Sequence, residues 1–275
     1  MRRTSGERSI GHTGTLDPRA TGLLVLVLGR ATRLAPFLSS SEKSYDATIR
    51  LGVTTDTDDA DGRPIETSSA PLPDDEAVAA ALDAFRGPFE QRPPPHSAKR
   101  VQGVKAYEFA RRDIPVDLKP VLVTVRALDL LARDDDRLEV RVTATAGFFV
   151  RALARDVGVR LGCGALLEAL RRTQCGHHSL ADALPLDRAE RLGPEVATHV
   201  ISPDDALSEM PAVELTDSGL KRAAHGNWLG PEHLSTGLPF ATAWPHKVRL
   251  MAAEGRLVGI AESRLGALHP VVVLG

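Results

Sequence analysis

The chain has 275 residues, with 34 Lys and Arg against 36 Asp and Glu, a formal net charge of −2 and 25% charged residues. That length allows one large domain or two smaller ones, and the near-neutral balance is not that of a uniformly basic nucleic-acid binder. No apolar run approaches the roughly 18 residues of a membrane span, nothing near the start reads as a secretory signal, and two cysteines, Cys163 and Cys175, exclude a disulfide framework and a CxxC metal pair, so both are expected as buried thiols.

The first distinctive segment is Gly11-His12-Thr13-Gly14-Thr15-Leu16-Asp17-Pro18-Arg19-Ala20-Thr21-Gly22. Gly14 and Gly22 are costly to order, and Pro18 pushes Asp17 out of the helical region. The expectation is a rigid, non-helical loop presenting one carboxylate. It feeds a predicted strand, Leu23–Leu28, ended by Gly29 and followed by a short helix over Thr32–Leu38. Tyr45, Ala47, Ile49 and Leu51 then alternate with Asp46, Thr48 and Arg50, the period of a half-buried strand.

Residues 54–73 read as loop, and 54–90 carries ten acidic residues against two arginines. Asp56-Thr57-Asp58-Asp59-Ala60-Asp61-Gly62 superficially suggests a calcium loop, but Ala60 at the fifth position and Thr67 in place of the closing glutamate break the pattern. Asp74 can cap a helix reaching Phe85, with Val78, Ala81, Leu82 and Phe85 apolar.

Pro93-Pro94-Pro95 excludes helix and central strand and opens a protruding irregular segment. Lys99, Arg100, Lys105, Arg111, Arg112 and Lys119 concentrate positive charge there, which can serve as an electrostatic footprint for phosphates. Val121–Leu131 and Leu138–Thr143 read as paired strands around Asp134-Asp135-Asp136. Val150, Leu153, Ala154, Val157 and Leu161 follow the spacing of an amphipathic helix stopped at Gly162, and a second helix is predicted from Ala165 to Arg172. Ser202-Pro203-Asp204-Asp205 marks a boundary. Beyond it, Val248–Ala252 and Leu257–Ala261 form a predicted hairpin around Glu254-Gly255, and Val271–Leu274 is a further short strand.

The Asp17 segment resembles the signature of the TruB family of tRNA pseudouridine synthases. Further blocks are similar to the family's in order and spacing. The second is Lys43-Ser44-Tyr45 with Leu51-Gly52 and Thr55-Asp56-Thr57. The third is Gln91-Arg92-Pro93-Pro94-Pro95-His96-Ser97-Ala98 with Gly103 and Ala106-Tyr107-Glu108. The fourth is Phe149-Val150-Arg151-Ala152-Leu153 with Leu161-Gly162-Cys163-Gly164-Ala165 and Leu170-Arg171-Arg172.

The resemblance implies an α+β fold with a mixed, largely antiparallel central sheet flanked by helices. It implies a catalytic domain over 1–206, with an RNA-gripping insertion at about 93–119, and a small β-rich PUA-like RNA-binding domain over 207–275. The implied reaction is isomerisation of uridine to pseudouridine at position 55 in the T-loop of tRNA. No cofactor, metal or membrane is implied. The expected partner is tRNA, bound through its T-loop and T-arm by a cytoplasmic monomer.

By the same resemblance Asp17 is the nucleophile and Arg151 its ionic partner. Tyr45 stacks on the target base and takes part in proton transfer. His12 enters the T-loop in place of the extruded base, Phe149 and Leu170 contact that base, and Lys99, Arg100, Lys105 and Arg171 bind RNA. Phe149 stands where the family more often has tyrosine, which keeps the ring and loses the hydroxyl.

The residues themselves support part of this. A carboxylate can form a transient covalent intermediate, and Arg151, a cation in the first turn of a predicted helix, opposes the helix dipole and is better tolerated beside an anion. The family's initial strand and its Lys-Pro-x-Gly-x-Thr-Ser segment precede the point where this chain starts, and their loss is expected to expose a sheet edge. A tRNA-binding or tRNA-folding protein without catalysis is the alternative, and the intact Asp17, Arg151 and Tyr45 weigh against it. A phosphate-loop nucleotide enzyme would need a Gly-Lys-Ser/Thr that the glycine loop lacks.

Overall fold

The alternation from Tyr45 to Leu51 places a strand inside a seven-stranded sheet in the computed structural model of the chain. The structure describes residues 1–97, 99–101, 103–110, 112, 114, 117–235 and 246–274. These fall into two units, Gly14–Val25 with Ser40–Ala183, and Met1–Thr13 with Leu26–Ser39 and Leu184–Gly275.

In the unit holding Gly14–Val25, the sheet strands are β1 (Thr21–Gly22), β2 (Lys43–Leu51), β3 (Gly87–Gln91), β4 (Val121–Asp134), β5 (Arg137–Ala144), β6 (Ala165–Cys175) and β7 (His178–Ser179). Their order is β7–β6–β2–β5–β4–β3, with β1 also against β6. Only the β1–β6 pair is parallel. Two helices, α1 (Asp75–Asp83) and α2 (Val150–Leu161), share a core with the sheet. Ile49, Leu138, Val140 and Val142 pack in one cluster with Val78, Leu153 and Val157, all 0% exposed. Each such side chain contributes roughly 1.5–3 kcal/mol by leaving water.

The α1 start at Asp74 and the α2 stop at Gly162 are as the sequence predicts, while α1 ends at Asp83, short of the expected Phe85. Asp74 Oδ1 accepts from Ala77 N at 2.8 Å, and α2 ends at Gly162 in left-handed backbone with φ 74°. At Gly158 a Cβ would lie 2.2 Å from Ala165 N, so α2 approaches the start of β6 where no side chain fits.

Three expectations are corrected. Ala165–Arg172 is strand, although Ala, Leu, Glu and Arg are strong helix formers. A bulge explains the helix-like spacing. The register jumps from Leu167 opposite Ile49 to Ala169 opposite Thr48, so Leu167 and Leu170, three apart, share one face. Pairing along the length of β2 outweighs propensity here. Leu23–Leu28 is not one strand, because Thr21–Gly22 pairs with Arg171 and Arg172 while Leu26–Leu28 pairs with Ile10–His12. The segment 54–73 is not all loop, since Val53–Thr55 and Pro64–Thr67 form a short hairpin.

Gln91, 0% exposed, stands in for a missing side-chain cap at the start of α2. Its Nε2 donates to Phe149 O at 3.1 Å and its Oε1 accepts from Phe149 N at 2.9 Å. Gln91→Leu would leave Phe149 N without its partner, while Phe149 O keeps the Leu153 N–H at 3.1 Å, at a cost of about 1–3 kcal/mol. The expected result is a lowered urea midpoint at unchanged slope; an unchanged midpoint would show that the pairing contributes nothing to stability.

In the other unit, Ile10–His12 pairs antiparallel with Leu26–Leu28. A four-stranded sheet runs Ala212–Glu214, Lys247–Met251, Leu257–Arg264, Ala267–Val273, its first pair parallel and the others antiparallel. The hairpin around Glu254-Gly255 forms as predicted, with Gly255 at φ 80°. Thr216 Oγ1 caps the helix Asp217–Ala224 by accepting from Gly219 N at 3.1 Å. Val27, Leu34 and Leu38 share a core with Leu207, Leu257 and Ile260. Early segments thus bury their apolar side chains on late ones, and a single cut near 206 does not separate the two units.

Among the described residues no helix is long and apolar enough to cross a membrane. Cys163 and Cys175 are both buried thiols.

Candidate active site

The Asp17 loop has the non-helical course that Pro18 imposes, and Ala20 N closes a turn onto Asp17 O at 2.9 Å. Strand β6 pins the loop. Leu23 N donates to Arg172 O at 2.8 Å, and the Arg172 guanidinium donates to Leu23 O at 2.7 Å and to Gly14 O at 3.1 Å. Gly22 has φ 96°, and a Cβ there would sit 2.2 Å from Arg172 O, so β1 can approach β6 this closely only with glycine.

Arg151 enters from the first turn of α2. Its Nε donates to Asp17 Oδ2 at 2.9 Å and its Nη2 to Asp17 Oδ1 at 3.0 Å, a two-point pair. The same guanidinium donates to Thr57 O at 3.1 Å and His96 O at 2.8 Å, and its Nη1 lies 3.5 Å from Asp59 Oδ2. Two carboxylates and two carbonyls offset a cation placed at the unfavourable end of the helix dipole. The Arg151 side chain is 7% exposed and that of Asp17 38%, so the cation forms a buried floor while the carboxylate keeps an open edge.

Along the core face of β2 the side chains change from Leu51, Ile49 and Ala47 to Tyr45 and Lys43. Tyr45 is directly opposite Arg172 of β6. Burial pushes the Tyr45 hydroxyl pKa up, and the positive charge of Arg172 across the strand pulls it back. Burial also pushes the Lys43 ammonium pKa down, with the Cys175 thiol opposing and Arg172 reinforcing that shift; its Nζ donates to Ser41 O at 2.8 Å. Leu170, opposite Ala47, joins Asp17, Asp59, Leu167 and Glu168 in lining a shallow open cleft.

The acidic loop set aside as a failed calcium site holds arginines. Asp59 faces Arg151, Asp58 Oδ2 accepts from Arg155 Nη1 at 3.0 Å, Asp61 pairs with Arg19, and Asp56 Oδ2 accepts from Arg63 Nε at 3.0 Å. Thr57 Oγ1 donates to Asp59 Oδ1 at 2.6 Å and fixes that carboxylate. Burial raises the Asp58 pKa against the opposing charge of Arg155. Asp59 is therefore a site residue that sequence reasoning missed; the signal available was the density of carboxylates just before Gly62.

Arg172 was also missed, its neighbour being named instead. Arg171 is exposed and opposite Asp46, on the sheet face away from Tyr45, whereas Arg172 is 2% exposed and turned towards it. Phe149 is half-buried at the start of α2 and is not among the cleft-lining residues. His12 is exposed at the end of Ile10–His12, in the unit that does not contain Asp17. Lys99 is half-buried, its carbonyl accepting from Ala106 N at 2.7 Å. Arg100 and Lys105 pair in the small hairpin Arg100–Val101 with Val104–Lys105, and their side chains lie outside the described residues.

Residues 2–150 match the sequence profile of the TruB family pseudouridylate synthase (N terminal domain). The chain is 39% identical over 281 residues to the tRNA pseudouridine synthase B of Thermobifida fusca, spanning 99% of this chain and 91% of that protein. It is 40% identical over 273 residues to the tRNA pseudouridine synthase B of Ralstonia nicotianae, spanning 96% and 84%. Among solved structures, a chain of the archaeal box H/ACA sRNP Nop10–Cbf5 complex superposes with a TM-score of 0.72 at 22% identity, covering 100% of this chain and 79% of that one. At that identity the likeness speaks for the fold.

Proposed function

The chain belongs to the TruB family of pseudouridylate synthases, and from that premise we propose that it converts uridine 55 in the T-loop of tRNA to pseudouridine with Asp17 as the nucleophile. The observation that carries this reading is the two-point Arg151–Asp17 pair with its carboxylate edge open to a cleft.

The uridine must first leave the stack, at a cost of a few kcal/mol that stacking and loop contacts offset. A carboxylate oxygen of Asp17 then bonds to ribose C1′ as the C1′–N1 bond breaks, its electron pair going to the uracil. The detached base turns on the Tyr45 ring, within walls that include Leu170. Its C5 bonds to C1′ and displaces the carboxylate, the C5 proton passes to solvent and N1 takes up a proton in its place, with the Tyr45 hydroxyl as the relay. Nothing is oxidised or reduced, so the isomerisation needs no redox cofactor. Arg151 holds the attacking carboxylate in one orientation throughout.

In this reading residues 1–206 supply catalysis and 207–275 act as a PUA-like RNA-binding domain. His12 fills the place of the extruded base, Phe149 stacks without a hydroxyl, and Lys99, Arg100, Lys105 and Arg171 meet phosphates. The protein works as a cytoplasmic monomer on the T-arm.

The chemistry sets the test. Because C5 loses its hydrogen, a tRNA transcript carrying tritium at C5 of its uridines should release one equivalent to water, and none once uridine 55 is replaced by cytidine. No release from the unmodified transcript, or release that survives the replacement, would refute the assignment.

A further inference from the structure

We infer that Arg172 is a positioning residue for the proposed isomerisation, a single buried guanidinium that ties both ends of the Asp17 loop to strand β6 directly opposite Tyr45. The inference rests on the reading of the site given above and extends it to a residue that need not touch the substrate.

Arg172 is 2% exposed, a costly place for a guanidinium. A purely structural buried arginine would be expected to pair with a carboxylate, yet among the described residues Arg172 has no ion pair. Its donors go to the carbonyls of Gly14 and Leu23, at 3.1 and 2.7 Å. These carbonyls bracket Asp17 in sequence, so the guanidinium closes the loop that carries the nucleophile. The contact is tight on the loop's side as well. A Cβ at Gly14 would lie 3.3 Å from Arg172 Nη1, and one at Gly22 would lie 2.2 Å from Arg172 O.

The same residue is the cross-strand partner of Tyr45, and its positive charge favours the ionised form of the Tyr45 hydroxyl. The nucleophile's loop and the stacking ring therefore share one anchor. That anchor is independent of Arg151, which grips the Asp17 carboxylate from α2. Arg151 sets where the carboxylate points, and Arg172 sets where the loop and the ring stand relative to each other. Because Arg172 carries a charge uncompensated by a carboxylate, it also favours negative charge on the base beside Tyr45 when the glycosidic bond breaks and the uracil takes the electron pair.

The test is single-turnover tritium release with Arg172→Lys and Arg172→Met, each alone and combined with Tyr45→Phe, beside filter binding of tRNA and thermal unfolding. Arg172→Met should lower the chemical rate about 100-fold, comparable to losing one preorganised donor, at nearly unchanged tRNA affinity. Arg172→Lys, which keeps the charge but not the fork, should recover part of that loss. The Arg172 effect should shrink in the Tyr45→Phe background, since the two residues act together.

Should Arg172→Met fail to fold, Arg172→Lys and its Tyr45→Phe combination decide alone. A rate per folded molecule equal to wild type in Arg172→Lys, or strict additivity with Tyr45→Phe, would overturn the inference while leaving the proposed function standing. A wild-type chain that releases no tritium would overturn both.

Discussion

Asp17→Asn is expected to reduce pseudouridine formation by about 10⁴-fold or more, because an amide of the same shape cannot serve as the attacking carboxylate. The substitution keeps the volume and one acceptor oxygen. The loop should hold its course, since its anchors at Gly14, Leu23 and Ala20 are backbone groups. Binding of tRNA should therefore change little. Quantifying pseudouridine after prolonged incubation, beside filter binding of the same transcript, separates chemistry from affinity. Equal loss of both would mean that Asp17 is a binding or folding residue. Undiminished turnover would remove it from the mechanism.

Arg151→Met carries the second largest expected effect. The guanidinium joins Asp17, Asp59, Thr57 O and His96 O, and at 7% exposure of its side chain no water can easily replace it. Its removal leaves two carboxylates around an apolar side chain and two carbonyls without a donor. The chemical rate should fall about 10²–10³-fold, as when a preorganised electrostatic contact is deleted. Arg151→Lys should be only partly better, because an ammonium cannot make the two-point contact with Asp17 while also reaching both carbonyls. Single-turnover rates normalised to folded protein test this. A lysine variant at the wild-type rate would mean that charge alone suffices and that the fork geometry is incidental.

The two variants also probe different halves of the site. Asp17 presents reactive oxygen to the cleft, whereas Arg151 never needs to meet the substrate. Loss at Asp17 should thus be absolute, and loss at Arg151 graded by what replaces it.

Much of the sheet and of the central pair was legible in the sequence. The alternation in β2 and the period of α2 are local signals, and Gly162 marks where α2 stops. Asp17 and Arg151 are 134 positions apart, and only the family resemblance brought them together before the fold did. The segment Ala165–Arg172 misled because its propensity is helical and its bulge shifts the apolar phase; neither is visible without the partner strand. The same blindness to facing explains why Arg171 was chosen over Arg172. A strand read as a helix loses the alternation that sends one arginine to solvent and the next to the core. Asp59 was overlooked because its loop was measured against a metal pattern, when its carboxylates are spent on arginines from elsewhere in the chain.

The central claim is spatial, that an extruded uridine fits the cleft with its ribose against the Asp17 carboxylate. The most direct measurement is a crystal structure of the Asp17→Asn variant bound to a T-arm stem-loop. The expected result is an extruded uridine stacked on Tyr45, its C1′ about 3–3.5 Å from the side-chain oxygen at position 17, a near-attack distance. A T-loop whose uridine stays stacked in the RNA, or is held away from position 17 by the protein's own side chains, would contradict it.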